Sequence, residues 1–324
     1  MKNLNNMKKN LLLVSLLFLA ASAMAQNETI VVTTAKAVGE TLRFMLGAEE
    51  ADKADVWIDL NNNTVKDEGE AVVTFSPRTY YTIGAQTVTI HGKVTALYCN
   101  TTGITGLDVS NDPLLKELNC GNNVLPELDL TNCPLLTYVA LYSCKLPELD
   151  LSENTFVRTL DCSDCQLTEL DLSSCDSLTS IVCYSNDING ENMTALMNSL
   201  PTPLVTSNLT IFAPAAATPD LNAATTADVA IATGKNWNVI NYDNTPYVGV
   251  SGINDVTNSD FNILSKNGQL RINHAKAGEL VSIYNIAGKQ VYQKRMESTS
   301  DNVSLNKGIY LVRVNSKVCK AVVE

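Results

Sequence analysis

One spacing governs the middle of this chain: apolar residues return every 21 positions. Leu97, Leu118, Val139, Leu160 and Ile181 form one such series, and Cys99, Cys120, Leu141, Cys162 and Cys183 follow two residues later. Leu107, Leu128, Leu149 and Leu170 repeat at the same interval, followed by Val109, Leu130, Leu151 and Leu172. Such self-similarity marks a stacked array. A single turn is too small to bury its own leucines. Stacked turns bury them in one continuous column and pair their strands about 4.8 Å apart.

Each turn is itself double. Leu115, Leu118, Cys120, Asn123 and Leu125 fit L-x-x-L-x-L-x-x-N-x-L, and Leu125, Leu128, Leu130, Cys133 and Leu135 fit it again. Over residues 94 to 188 this nesting resembles the IRREKO class of leucine-rich repeats. The resemblance implies a parallel solenoid with short strands on both flanks and no long helix in each turn.

Eight of the nine cysteines follow from the same register, Cys319 lying in the last module. Cys99, Cys120, Cys162 and Cys183 take the inward position. Cys144 and Cys165 stand where Asn123 and Asn186 stand in neighbouring turns, and Cys133 and Cys175 flank Asn154 in a second column. A thiol in such a place is a small buried hydrophobe with a weak donor. Cys162-Ser-Asp-Cys165 has redox or zinc spacing, but no second pair accompanies it.

The first 25 residues read as a secretory leader: Lys2, Lys8 and Lys9, an apolar run from Leu11 to Ala21, then Ala23-Met24-Ala25. The mature chain is expected to start near Gln26 and to be secreted or displayed at the outer-membrane surface, with no transmembrane span. Net charge is −11, which argues against a nucleic-acid binder. The charge is uneven. Residues 26–252 carry 10 basic and 28 acidic side chains, and residues 253–324 carry 10 and 6, so the sign changes at one boundary. With two histidines, His91 and His274, and no phosphate loop, H-E-x-x-H or G-x-S-x-G, the chain is expected not to be an enzyme.

Before the repeat, TIVVTTA, TLRFML, ADVWIDL, EAVVTF and QTVTIHG alternate as strands do. Asp59, Asn61, Asn63, Asp67 and Glu70, with the Val65 carbonyl, take the oxygen-ligand positions of a calcium loop. This segment resembles the Asp-rich loop of GEVED-type bacterial β-domains. Thr64 replaces the usual glycine, and a polar β-turn is the competing reading. Calcium is the one candidate cofactor. After the repeat come a helix stopped by Pro201, a strand, a second helix and a second strand.

The last module carries Val281-Ser-Ile-Tyr-Asn-Ile-Ala-Gly288, Leu305-Asn-Lys-Gly-Ile-Tyr-Leu-Val312 and Lys317 to Val323. It resembles the C-terminal sorting domain of the type IX secretion system, without that family's Tyr-Pro-Asn-Pro opening. The resemblance implies export by that machinery. The chain thus reads as mainly β: a leader (1–25), an N-terminal β cap domain (26–93), a parallel leucine-rich-repeat solenoid (94–190), a β/α cap (191–250) and a C-terminal β-sandwich (251–324).

The expected function is binding of a protein or glycan, as in adhesion. The alternative is a structural envelope or calcium-stabilised assembly module. Tyr98, Lys116, Asn119, Tyr138, Arg158 and Asp161, with Tyr142 and Tyr184 just beyond, are the candidate ligand-binding face, because they point outward and differ between turns. On the opposite flank Glu127, Glu148 and Glu169 line up beside Asp108, Asp129, Asp150 and Asp171. Seven stacked carboxylates repel unless each Asp accepts hydrogen bonds from the turn after it, or a cation binds.

Overall fold

The computed structural model describes residues 28–213, 220–249, 262–266, 269–273, 276–285, 289–298, 300–314 and 317–323. The leader, the start near Gln26 and His274 fall outside the described residues. Twenty strands and two α-helices are described, so the fold is mainly β.

Up to the repeat the chain forms β1 (Thr29–Thr34), β2 (Thr41–Gly47), β3 (Trp57–Asp59), β4 (Thr79–Thr82) and β5 (Thr87–His91). Then follow β6 (Ala96–Tyr98), β7 (Ile104–Asp108), β8 (Glu117–Asn119), β9 (Tyr138–Ala140), β10 (Thr159–Asp161) and β11 (Ser180–Val182). Beyond them lie α1 (Gly190–Ser199), β12 (Ser207–Phe212), α2 (Thr226–Gly234) and β13 (Trp237–Asn241).

A nine-stranded sheet dominates, in the order β13-β12-β11-β10-β9-β8-β6-β2-β4. From β6 to β13 it is parallel, and Leu97, Leu118, Val139, Leu160, Ile181 and Leu209 lie side by side, all fully buried. The interval is 21 residues as far as Ile181, then 28 to Leu209 and 30 to Val239. The longer arms hold α1 and α2, so the ladder continues two strands beyond the repeat. The Thr225 hydroxyl accepts from the Asp228 N–H at 3.2 Å, and the Asp228 carboxylate accepts from the Thr225 N–H at 2.8 Å, which starts α2. Thr194 of α1 donates to the same carboxylate at 2.7 Å and ties the helices together.

The N-terminal segment attaches to both flanks of the first turn. β2 and β4 extend the large sheet antiparallel, whereas β7, inside the repeat span, joins the separate sheet β3-β5-β1-β7. One hydrophobic cluster therefore runs from Ile30 to Val239. A second cluster, including Leu270, Val281, Ile283 and Val312, belongs to the C-terminal strands. There β14 (Asn262–Lys266), β15 (Gln269–Asn273) and β18 (Ser300–Ser304) form one antiparallel sheet. β16 (Leu280–Asn285), β17 (Gln290–Arg295), β19 (Gly308–Val314) and β20 (Lys317–Val323) form the other.

Apart from β7, strands form on one flank of the repeat, not on both as the nested pattern implies. After β7, residues 125–130, 146–151 and 167–172 lie outside any strand. Pro126 and Pro147 remove backbone donors there. The aspartates take further N–H groups for themselves. Asp108, Asp129, Asp150 and Asp171 each accept the N–H two residues on, from Ser110, Thr131, Ser152 and Ser173, at 2.8–2.9 Å. The Thr131 hydroxyl, at 2.6 Å, and then its N–H hold the Asp129 carboxyl below the ordinary carboxylate range, and the Ser152 N–H and side chain do the same for Asp150. Local hydrogen bonding thus offsets the repulsion along this ridge.

Inside, each turn sends a donor to the carbonyls of the turn before. Asn123 donates to Cys99 O at 3.0 Å and Cys120 O at 2.7 Å, and its Oδ1 accepts from the Gly103 N–H at 2.9 Å. Cys144 and Cys165 donate Sγ–H to Cys120 O and Leu141 O at 3.2 and 3.0 Å. Asn186 resumes the pattern, and Asn222, outside the 21-residue register, extends it to Cys183 O and Ile211 O. The eight cysteines from Cys99 to Cys183 are buried and free of disulfides. Burial pushes the Cys165 thiol up to about 12 and Cys175 up to about 11, so both keep the proton that the ladder needs.

A second column starts with Asp112 and continues through Cys133, Asn154 and Cys175. Asn154 donates to Leu130 O and Cys133 O at 3.0 and 2.9 Å. Asp112 is fully buried, accepts the Val94 N–H at 3.3 Å, and has no partner for Oδ1. Burial raises its carboxyl to about 7, above an unfolded value near 3.8. The folded state therefore binds the extra proton, and stability falls as pH rises from about 4 through about 7. The melting temperature should be higher at pH 5 than at pH 8, and Asp112→Asn should remove most of that difference. Asn123→Ala should cost about 3 kcal/mol in denaturant unfolding, since it strands several buried carbonyls. Asn123→Cys should cost clearly less.

Candidate binding face of the nine-stranded sheet

Along each three-residue strand the middle side chain points in and its neighbours point out. The register sets Glu117, Tyr138, Thr159 and Ser180 in one outward column, and Tyr98, Asn119, Ala140, Asp161 and Val182 in the other. Two residues beyond the second column come Asn100, Gly121, Tyr142, Ser163 and Tyr184. The backbone then turns through a left-handed residue in every turn: Thr101, Asn122, Ser143, Asp164 and Ser185, with φ between 54° and 57°.

The tyrosines assemble on this face. Tyr98 and Tyr138 stack, with ring centroids 6.3 Å apart and planes 23° apart. The Tyr98 hydroxyl donates to Glu117, and the Arg78 guanidinium lies 6.0 Å above the Tyr98 ring. Arg78 also donates to Asn100, which donates to the Tyr142 hydroxyl at 2.9 Å. Tyr142 thus spans two turns and lies across Gly121, where an added Cβ would stand 2.5–2.6 Å from the ring. Gly121 is needed for this close approach, not for its backbone angles. At the far end Tyr184 meets Tyr242 edge-on, with centroids 5.1 Å apart.

Asp161 sits between these groups, on the strand after Tyr138 and before Tyr184. Its Oδ1 accepts from the Ser163 N–H at 3.1 Å and the Ser163 hydroxyl at 2.6 Å. Burial outweighs those donors and lifts its carboxyl above the ordinary range. Burial, then the Asp161 charge, raises the Tyr138 hydroxyl. Burial is also the main cause of the rise at Tyr184, where Asp161 again contributes.

Other sequence candidates sit differently. Asn119 is a correction: its side chain is buried, 8% exposed, and Oδ1 accepts from the Gly121 N–H at 3.3 Å. It is structural because that bond folds the side chain back onto its own turn. Lys116 and Arg158 are exposed one residue before their strands, at the border of the face. Lys116 pairs with Glu49 at 2.8 Å. Sequence reading misses Tyr80 and Tyr242, 65% and 64% exposed, because neither lies in the 21-residue register. Tyr80 reaches the face through β4, where it pairs with Arg43 of β2, whose guanidinium lies 5.8 Å from its ring.

In the N-terminal loop Asp59 and Glu70 are buried. Asp59 accepts the N–H groups of Asn63 and Thr64 at 3.0 and 2.8 Å. Glu70 accepts those of Leu60 and Asp67, both at 2.8 Å. Asn61 and Asn63 donate their amides to Asp67 at 2.8 and 2.7 Å, and Val65 is exposed. The loop is closed by its own hydrogen bonds, with Thr64 at φ 65° making the sharp turn. Among the described residues no group of three or more His, Cys, Asp or Glu is arranged to hold a metal. His91 stacks on Trp57 at 4.0 Å, and burial lowers its pKa. On the ridge flank, α1 overhangs a cleft lined by Glu148, Asp150, Glu169, Asp171 and Asn192.

Gly121→Ala should displace the Tyr142 ring and destabilise the fold by about 1–3 kcal/mol by overpacking. The Tyr142 fluorescence environment and a denaturant melt would report both effects.

Residues 251–323 match a family described as a domain of unknown function (DUF6383). No curated protein matches the chain. Among solved structures the chain is similar to the functional domain of InlJ from Listeria monocytogenes, which includes a cysteine ladder. Identity is 18% and the TM-score 0.36, over 71% of this chain. The match spans 48% of that protein's chain, about half its length.

Proposed function

We propose that this chain is a non-enzymatic binding protein of the leucine-rich-repeat kind, exported and displayed at the cell surface, with the tyrosine-bearing face of the nine-stranded sheet as its recognition surface. The observation that carries this reading is the convergence of Tyr80, Tyr98, Tyr138, Tyr142, Tyr184 and Tyr242 on one sheet face. Tyrosine buries much area at little entropy cost and still forms hydrogen bonds, so it concentrates in interface hot spots. Nine strands give that face a length of roughly 40 Å. The separate C-terminal core fits an export or attachment module, and its likeness to type IX sorting domains supports that route. No described helix is long and apolar enough to cross a membrane.

The test is an array of matrix proteins and glycans probed with the full chain. Tyr138→Ala and Tyr184→Ala should each weaken whatever binds by about tenfold or more. Unchanged binding by both variants, with the fold intact by circular dichroism, would remove the face from the proposal.

A second reading, a calcium-stabilised assembly module, rests on Asp59 and Glu70, two buried carboxylates without a lysine or arginine partner among the described residues. Asp59, Asn61, Asn63, Asp67 and Glu70, with the Val65 carbonyl, would be its oxygen ligands once they release the hydrogen bonds that close the loop. Millimolar calcium should then raise the melting temperature over that in chelator, and Asp59→Asn should abolish the rise.

A further inference from the structure

The two ends of the tyrosine face are provisioned differently. At the β4 end, the chain supplies its own cations. Arg43 lies over Tyr80 and Arg78 over Tyr98, at 5.8 and 6.0 Å from the ring centroids. Further along, the rings stand beside carboxylates instead. Asp161 stands on the strand next to that of Tyr138, two residues beyond its register partner Thr159, and the Asp164 N–H donates to the Tyr184 carbonyl at 3.0 Å, which sets that residue beside Tyr184. Among the described residues no lysine or arginine stands over Tyr138, Tyr184 or Tyr242, and no ion pair engages Asp161 or Asp164.

Aromatic faces attract cations through the ring quadrupole, and a neighbouring carboxylate adds direct charge. The pairing that the chain completes internally at Tyr80 and Tyr98 is left open at Tyr138, Tyr184 and Tyr242. Long-range charge agrees, because residues 26–252 carry 28 acidic against 10 basic side chains. The sheet's backbone groups are consumed by the ladder. A partner must therefore bind this face through side chains rather than by adding a strand.

Resting on the binding reading above, we infer that the basin formed by Tyr138, Asp161, Asp164, Tyr184 and Tyr242 receives arginine or lysine side chains of a basic protein segment. The guanidinium or ammonium stacks against the tyrosines and pairs with Asp161. The Ser163 donors hold that carboxylate in place.

The test uses the full chain and two fluorescent peptides, nona-arginine and its all-citrulline counterpart. Citrulline keeps the planar shape but lacks the charge, with a carbonyl acceptor in place of one amino donor. A chitin hexasaccharide serves as a neutral glycan probe. Nona-arginine should bind, citrulline should bind at least tenfold more weakly, and the hexasaccharide should not compete. Asp161→Asn keeps the Ser163 acceptor and should weaken nona-arginine about tenfold, as should Tyr184→Leu. The ridge double variant Asp150→Asn/Asp171→Asn controls for general charge and should change affinity less than twofold. An equal loss in ridge and basin variants would overturn the inference in favour of diffuse attraction. Hexasaccharide binding that depends on Tyr184 but not on Asp161 would overturn it in favour of a glycan, leaving the binding face standing. Loss of array binding in neither Tyr138→Ala nor Tyr184→Ala would instead overturn the face itself.

Discussion

Everything in the main body depends on buried backbone carbonyls that no strand can satisfy. Each turn leaves the sheet after three residues, and its next carbonyls point into a dry interior. A side-chain donor from the following turn meets them, either the Asn123 amide or the thiols of Cys144 and Cys165. Unmade hydrogen bonds of this kind cost about 1–3 kcal/mol each. An amide supplies two donors and an acceptor, whereas a thiol supplies one weak donor and fills apolar space. The alternation of Asn and Cys in each column trades hydrogen-bond strength against packing. It accounts for Cys133, Cys144, Cys165 and Cys175, while Cys99, Cys120, Cys162 and Cys183 fill the inward strand position, all eight free of disulfides.

That interior fixes the outer surfaces. Because the middle residue of each strand is locked inward, its neighbours are free to vary, and the two flanks diverge in chemistry. The ridge flank spends its aspartates on its own turns, so its negative charge is structural in origin. The sheet flank carries aromatic rings and the less committed carboxylate of Asp161. A rigid ladder beneath them holds rings on different strands at fixed separations, which is what a preorganised recognition surface requires.

The ends of the ladder are handled by pairing rather than by repetition. β2 and β4 close one end antiparallel, and β12 and β13 with their helices carry the sheet onward. Terminal turns of a stacked array would otherwise expose an apolar face and a free edge. This closure also brings Arg43, Arg78 and Tyr80 onto the same face as the repeat tyrosines. Capping therefore contributes residues to the proposed binding face.

The sequence by itself determined the 21-residue ladder, the inward leucines, the burial of the cysteines and the aspartate turns, because each depends only on position within one repeating unit. Tyr98, Tyr138, Asp161 and Tyr184 were legible as outward residues for the same reason. Asn119 was not: its place in the register is outward, but its side chain is buried and bonded to the Gly121 N–H. Tyr80 and Tyr242 were invisible because no period contains them. The flank that lacks strands was hidden too, although Pro126 and Pro147 carried its cause. Only the tertiary structure decided which non-repeating segments pair with the ladder edge. That choice is made by contacts between residues far apart in sequence, and it sets which tyrosines find a cation within the chain and which are left facing outward.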